Sequence, residues 1–171
     1  MFLVFVLIIV FLISERKVKK EIVVSGFTMG SIPYNLKYIS DAKSIYKKEV
    51  DSILINFNNT FSTYISTSEI SQINSSEGKI EISPDFYFLL KHSKDVFEIT
   101  GGAFDPTIGP LVNAWGFGPD KKNQLPTSYQ INKLKNFVGF DKLIFDEKYL
   151  YKKHKETYLD FSSIAKGYAV D

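Results

Sequence analysis

Cysteine is absent from all 171 residues, which excludes disulfides, thiolate metal sites and cysteine nucleophiles from this region. Histidine is nearly as scarce. His92 and His154 each stand alone in a polar, lysine-rich context, which suits surface positions better than metal ligation. An excess of one charge is also missing: the formal net charge is +2, and no long run of either sign occurs after residue 20. Nucleic-acid binding relies on clustered Lys and Arg to displace counterions, so a nucleic-acid partner is not indicated. There is no internal repeat and no low-complexity linker.

What is present suffices for one sizeable core. The composition is 44% hydrophobic and 15% aromatic, and the length matches about one domain at roughly 100–200 residues each. The apolar residues are unevenly spread. Met1 to Ile13 is an unbroken apolar run, followed by Arg16, Lys17, Lys19 and Lys20. It is shorter than the roughly 20 residues a helix needs to cross hydrocarbon, and has the length of a secretory signal's apolar region. The basic residues follow the run instead of preceding it, an order that tends to hold them in the cytoplasm. The expectation is a signal peptide or membrane anchor over residues 1–20, with export to the periplasmic face of the inner membrane, ahead of one domain over residues 21–171.

The remainder reads as mixed helix and strand. EIVVSGFTMGS and YNLKYIS alternate like two strands, with Pro33 as a break or edge position. Ser40 or Asp41 can cap a helix carrying Ile45, Val50, Ile53, Leu54 and Phe57 on one face. The polar stretch from Phe57 to Ser76 reads as a surface loop leading into a short helix, with Asn58-Asn59-Thr60 and Asn74-Ser75-Ser76 as turns. Ser83-Pro84-Asp85 opens a helix that Gly101 stops. Thr127 to Asn136 is a further short helix. LIFD, YLYKK and TYLDF read as three strands, and Ser162 or Ser163 as the start of a last helix. The chain stops inside that helix, so more protein is expected beyond Asp171. The fold class is α+β: antiparallel strands packed with helices, with long irregular loops.

Three segments hold more Gly and polar residues than packing requires. Gly101 to Asp120 contains half of the ten glycines and half of the six prolines, so it must be an irregular loop with at most a short helical turn. Loops this long are usually functional, although this one could equally let Phe104 and Trp115 plug the core. Asp160 to Gly167 joins a strand end to a helix start, presenting N–H groups, a hydroxyl, a carboxylate and Lys166 where an anion such as phosphate can bind. The plainer reading there is a Ser-capped helix with a solvated lysine. Gly26 to Ser31, in a strand, suggests a bulge or a close backbone approach.

Taken together, GFTMGS, STYISTSEISQIN, GGAFDPTIGPLVNAWGFGP and LDFSSIAKGYAVD resemble, in order and spacing, the successive signatures of the ApbE family of FAD:protein FMN transferases. The resemblance runs from about Glu21 to Asp171. It implies that Met29, Tyr64, Ala103, Phe104, Asp105, Asp160 and Lys166 contact FAD, and that Ser163 is one ligand of a magnesium ion. The family's other metal ligands would lie past Asp171. No catalytic base is assigned; Asp105 and Asp160 are binding residues first. Ser31 stands where Thr is commoner, and there is no lipobox cysteine. The implied reaction moves FMN from FAD to a Thr or Ser hydroxyl of an acceptor flavoprotein and releases AMP.

Three alternatives stand beside that reading. Within the family, water as acceptor would make the protein an FAD pyrophosphatase. A non-catalytic FAD-binding protein would hold the nucleotide without turnover. In a different class, Ser163-Ile164-Ala165-Lys166 matches the S-x-x-K nucleophile motif of serine acyl-enzymes, though this leaves the Gly101–Asp120 loop unexplained.

Overall fold

The computed structural model describes residues 19–30, 32–40, 45–119 and 124–171. The apolar leader, Ser31 and the Asp41 cap fall outside them. Two compact units form, one ending at Leu54 and the other starting at Ile55. No helix among the described residues is long and apolar enough to cross a membrane.

The first unit is built on a hairpin. Strand β1 (Lys20–Thr28) pairs antiparallel with β2 (Ile32–Ser40), from Lys20 opposite Ser40 to Thr28 opposite Ile32. Pro33 lies within β2 opposite Phe27, which a two-stranded sheet tolerates because each strand has a free edge. Val24 is buried, whereas Val23 and Phe27 on the opposite face are exposed. Helix α1 (Lys47–Phe61) begins here, later than its capping signals suggest. The Tyr34 hydroxyl donates to Asp51 Oδ1 at 2.5 Å, and Lys47 Nζ lies 2.7 Å from Oδ2. Those two donors, Lys47 foremost, hold the Asp51 carboxyl below the usual carboxylate range.

At the hairpin tip both Met29 (φ 48°) and Gly30 (φ 85°) are left-handed. Glycine adopts this conformation freely, but for methionine its Cβ crowds the following carbonyl, at about 1–2 kcal/mol. Met29→Gly is therefore expected to stabilise the hairpin by about 0.5–1 kcal/mol once the greater unfolded-state freedom of glycine is subtracted. Urea denaturation would show this; a loss of stability would mean the Met29 side chain contributes more than its backbone strain costs.

In the second unit, α2 (Glu69–Ser75), β3 (Gly78–Glu81) and α3 (Pro84–Ile99) lead into the Gly-rich loop. Then come α4 (Gly109–Ala114), α5 (Ser128–Lys135), a single 3-10 turn at Phe140–Lys142, β4 (Leu143–Phe145), β5 (Tyr149–Lys152) and α6 (Ala165–Val170). The sheet order is β3-β5-β4, antiparallel throughout, as the α+β reading requires.

Local signals explain most of the helix starts. Ser83 caps α3 by accepting from Phe86 N–H, and Pro84 occupies the first turn, where no N–H partner is needed. Thr127 and Gln130 form a reciprocal capping box on α5. Glu69 fixes the α2–α3 corner: its carboxylate accepts from Ser83 N–H and Ser83 Oγ, both at 2.6 Å. Between the helices and the sheet, Phe61, Ile70, Ile73, Phe86, Leu89, Leu90, Leu150, Leu159 and Phe161 form the core. Phe86 and Phe161 meet edge-on at 5.4 Å, and Phe61 lies about 6 Å from both. A fully buried phenylalanine contributes about 1.5–3 kcal/mol, so this trio anchors the segment after Asp160 firmly.

Several elements differ from the sequence reading. Asn58, Asn59 and Thr60 lie in α1 and Asn74 in α2, so neither Asn-rich stretch is a turn. TYLDF joins neither sheet; it makes one parallel bridge, between Tyr158 and Ile108. β3 replaces it as the third strand. The last helix starts at Ala165, with Ile164 as its N-cap and no side-chain capping bond.

Candidate functional site

Two short loop segments in the second unit share one local design. In Asp105-Pro106-Thr107, Asp105 Oδ1 accepts from the Thr107 N–H at 2.8 Å and from the Thr107 hydroxyl at 2.7 Å. In Asp160-Phe161-Ser162, Asp160 Oδ1 likewise accepts from the Ser162 N–H at 2.8 Å and from the Ser162 hydroxyl. Each is an Asx turn, in which a carboxylate satisfies backbone two residues on. Proline and phenylalanine between the paired groups are buried, while both carboxylates stay half-exposed. One oxygen of each carboxylate is committed to its turn. Oδ2 of each makes no hydrogen bond among the described residues.

The two turns are joined. Asp160 N–H donates to Pro106 O at 2.8 Å, one step beyond the Ile108–Tyr158 bridge. Gly109 permits this approach: a Cβ there would stand 2.5 Å from Tyr158 O and 2.4 Å from the Tyr158 ring. Thr107, fully buried, completes the join on the far side by accepting from Gly139 N–H. Residues more than fifty positions apart therefore present two carboxylates from adjoining backbone.

Upstream, α3 ends in two left-handed glycines, Gly101 (φ 58°) and Gly102 (φ 84°). The Thr100 hydroxyl accepts from Phe104 N–H at 3.1 Å and so turns the chain toward Asp105. Ala103 is exposed and Phe104 half-buried. Downstream, the Tyr64 hydroxyl donates to Phe117 O at 2.9 Å, which brings the loop after α1 onto the Gly-rich loop. Trp115 and Phe117 are exposed, so this loop does not plug the core with its tryptophan.

Ser162, Ser163 and Ile164 form the turn before α6. Ser162 turns back to Asp160 instead of capping the helix, which corrects the plainer sequence reading. Ser163 and Lys166 are exposed, and neither side chain makes a hydrogen bond or ion pair among the described residues. Ser163 precedes α6, so it does not share that helix with Lys166 as the S-x-x-K reading expects. Met29 belongs to the first unit, at the hairpin tip. His92 and His154 are exposed, in keeping with their sequence context.

Two residues that sequence reasoning passed over also belong here. Thr107 had a visible signal in the D-P-T triplet and Asn74 a weaker one as the last residue of the STYISTSEISQIN stretch, but its partner Leu159, which it hydrogen-bonds from inside α2, is distant in the chain. A separate groove of about 450 Å³ between α3 and β4, lined by Tyr87, Lys91, Lys94 and Ile144 among others, contains none of the motif residues. Among the described residues no group of three His, Cys, Asp or Glu forms a ready metal cage. The exposed Ser163 hydroxyl is an oxygen donor of the kind a hard cation that keeps some of its water accepts.

Comparison with known proteins supplies the family. The family model described as "ApbE family" matches residues 29–171. An FAD:protein FMN transferase of Haemophilus influenzae is 38% identical over 169 residues, covering 91% of this chain and 49% of the relative. One from Vibrio cholerae is 36% identical, covering 91% and 48%. Among solved structures, the flavin transferase ApbE from Vibrio cholerae superposes with a TM-score of 0.83 at 35% identity, over 90% of this chain and 52% of that one. The apo flavinyl transferase ApbE of Pseudomonas stutzeri gives 0.81 at 33% identity, over 90% and 51%. The chain thus spans about half the length of the curated relatives it matches. With the motif loops joined as described and a family match over most of its residues, the chain belongs to the ApbE family.

Proposed function

We propose that the full-length protein is an FAD:protein FMN transferase. The observation that carries the reading is the Asp160–Pro106 hydrogen bond, which fuses the two most specific motif segments into one surface. Relatives named for this activity support it. In the reaction, an acceptor Thr or Ser hydroxyl forms a new P–O bond to the FMN phosphorus. The pyrophosphate P–O bond to AMP breaks, AMP leaves, and the hydroxyl proton passes to solvent or a nearby base.

This chain's own groups would bind and orient the nucleotide. Tyr64, Ala103, Phe104 and Asp105 would hold it from the Gly-rich side, and Asp160 and Lys166 from the other; for Met29, in the first unit, flavin contact rests on the family resemblance alone. Lys166 would offset phosphate charge. Ser163, with its free hydroxyl, would contribute to a magnesium site, and the ion would supply electrostatic neutralisation of the pyrophosphate. Residues 1–20 would place the domain on the extracytoplasmic side, where the acceptor flavoprotein is met.

The test is incubation of the full-length protein with FAD, magnesium and a candidate flavoprotein. Covalently bound flavin equal to the AMP released supports transfer. Free FMN without labelled protein would make the enzyme a pyrophosphatase, and FAD binding without AMP would make it a carrier. Asp160→Asn is expected to keep the turn, because its amide oxygen still accepts from Ser162 N–H, yet to lower transfer about ten- to hundredfold. Transfer within twofold of wild type would remove Asp160 from the site.

A further inference from the structure

A lysine outside the motifs, Lys152, and the last residue of the STYISTSEISQIN motif, Asn74, are both buried, and neither has yet been given a role. Lys152, at the end of β5, is 2% exposed, and no carboxylate lies within ion-pair distance among the described residues. Its ammonium donates instead to three backbone carbonyls: Asn74 at 2.9 Å, Thr157 at 3.2 Å and Lys155 at 3.3 Å. Asn74, 7% exposed, then grips Leu159 through both main-chain groups. Nδ2 donates to Leu159 O at 2.9 Å, and Oδ1 accepts from Leu159 N–H at 2.8 Å.

Leu159 is followed by Asp160, whose N–H reaches Pro106 between Asp105 and Thr107. One connected series of hydrogen bonds therefore runs from the buried ammonium to both carboxylate turns. Among the described residues the 157–160 segment belongs to neither sheet and pairs through the Ile108–Tyr158 bridge, and the Asn74 amide grips Leu159 much as a neighbouring strand would. An apolar pair would fill this space with less desolvation. What polar groups add is direction, since a bidentate amide fixes both the height and the rotation of the backbone it holds.

We propose that Asn74, backed by Lys152, is the positioning residue that sets the placement of Asp160 against Asp105. The inference rests on the reading of those carboxylates as part of the nucleotide site.

The test compares Asn74→Asp with Leu89→Ala in the full-length protein. Aspartate keeps the acceptor for Leu159 N–H and loses the donor to Leu159 O; the nearby ammonium helps the variant fold. Leu89→Ala opens a cavity on the buried face of α3 without removing any hydrogen bond to the turns, and controls for lost stability. Asn74→Asp is expected to lower kcat/KM for FAD at least tenfold, while Leu89→Ala stays within twofold despite an equal or greater drop in Tm. Amide exchange supplies a readout that needs no activity: Asn74→Asp should speed exchange at Asp160 N–H at least tenfold more than at amides of α3. The proposal is overturned if kcat/KM tracks Tm in both variants, or if exchange at Asp160 rises only in step with α3. Should the wild type neither bind FAD nor transfer FMN, the functional reading fails, while the exchange comparison still decides the positioning role.

Discussion

Replacing Lys152 by methionine is expected to destabilise the protein by about 3–5 kcal/mol, far more than the loss of an exposed lysine. Methionine fills similar space but leaves the carbonyls of Asn74, Lys155 and Thr157 without their buried donor, and each such loss costs about 1–3 kcal/mol. Relief from burying a charge offsets part of this. Burial is the leading cause that pushes the Lys152 ammonium down to about 8 from 10.5.

That depression has a definite sign in stability. Between about pH 8 and 10.5 the unfolded chain binds the Lys152 proton more tightly than the folded one, so this residue's contribution to stability rises with pH. Below about pH 8 the contribution is constant and unfavourable, on the order of 3 kcal/mol. Urea titrations at pH 7, 8, 9 and 10 should therefore show the gap between wild type and Lys152→Met widening as pH rises. Other titrating groups cancel in that difference. A narrowing gap would mean that the carbonyls dominate and favour the charged form.

Gly109→Ala should destabilise the protein less, and by a different route. The new methyl group would meet Tyr158 O at 2.5 Å and Tyr158 C at 3.0 Å, both main-chain atoms that no rotamer change can move. Overpacking of this kind costs about 1–3 kcal/mol when the surroundings give way. What gives way here is the seam between the Gly-rich loop and the 157–160 segment, which carries the Ile108–Tyr158 bridge and the Asp160–Pro106 bond. The expected result is a lower Tm together with at least tenfold weaker FAD binding in the full-length protein. Unchanged FAD affinity at lowered stability would show that the seam bears on folding alone.

Elements with local causes could be read from the chain. Ser83-Pro84 and Thr127 announce their helices because the capping partners lie three residues on. The Gly-rich loop was legible as irregular because no regular element accommodates so many glycines and prolines. One element was missed and one reading failed for want of distant partners. Gly78–Glu81 has one apolar side chain, Ile80, and becomes a strand because β5 offers it an edge. Asn74 resembles any turn asparagine until Leu159, 85 positions away, is brought beside it. A second reading failed through local competition: Ser162 had both a helix end and the Asp160 carboxylate within reach, and the carboxylate prevailed. The site residues themselves came from resemblance, and the geometry adds that Asp105 and Asp160 stand on adjoining backbone.

One consequence follows from where Trp115 sits. It is the single tryptophan in these 171 residues, half-exposed at the end of α4 in the Gly-rich loop. Intrinsic indole fluorescence from this region therefore reports on one place only. Because oxidised flavins absorb where indole emits, an isoalloxazine ring arriving at that loop would quench the signal, giving an optical titration without any added label.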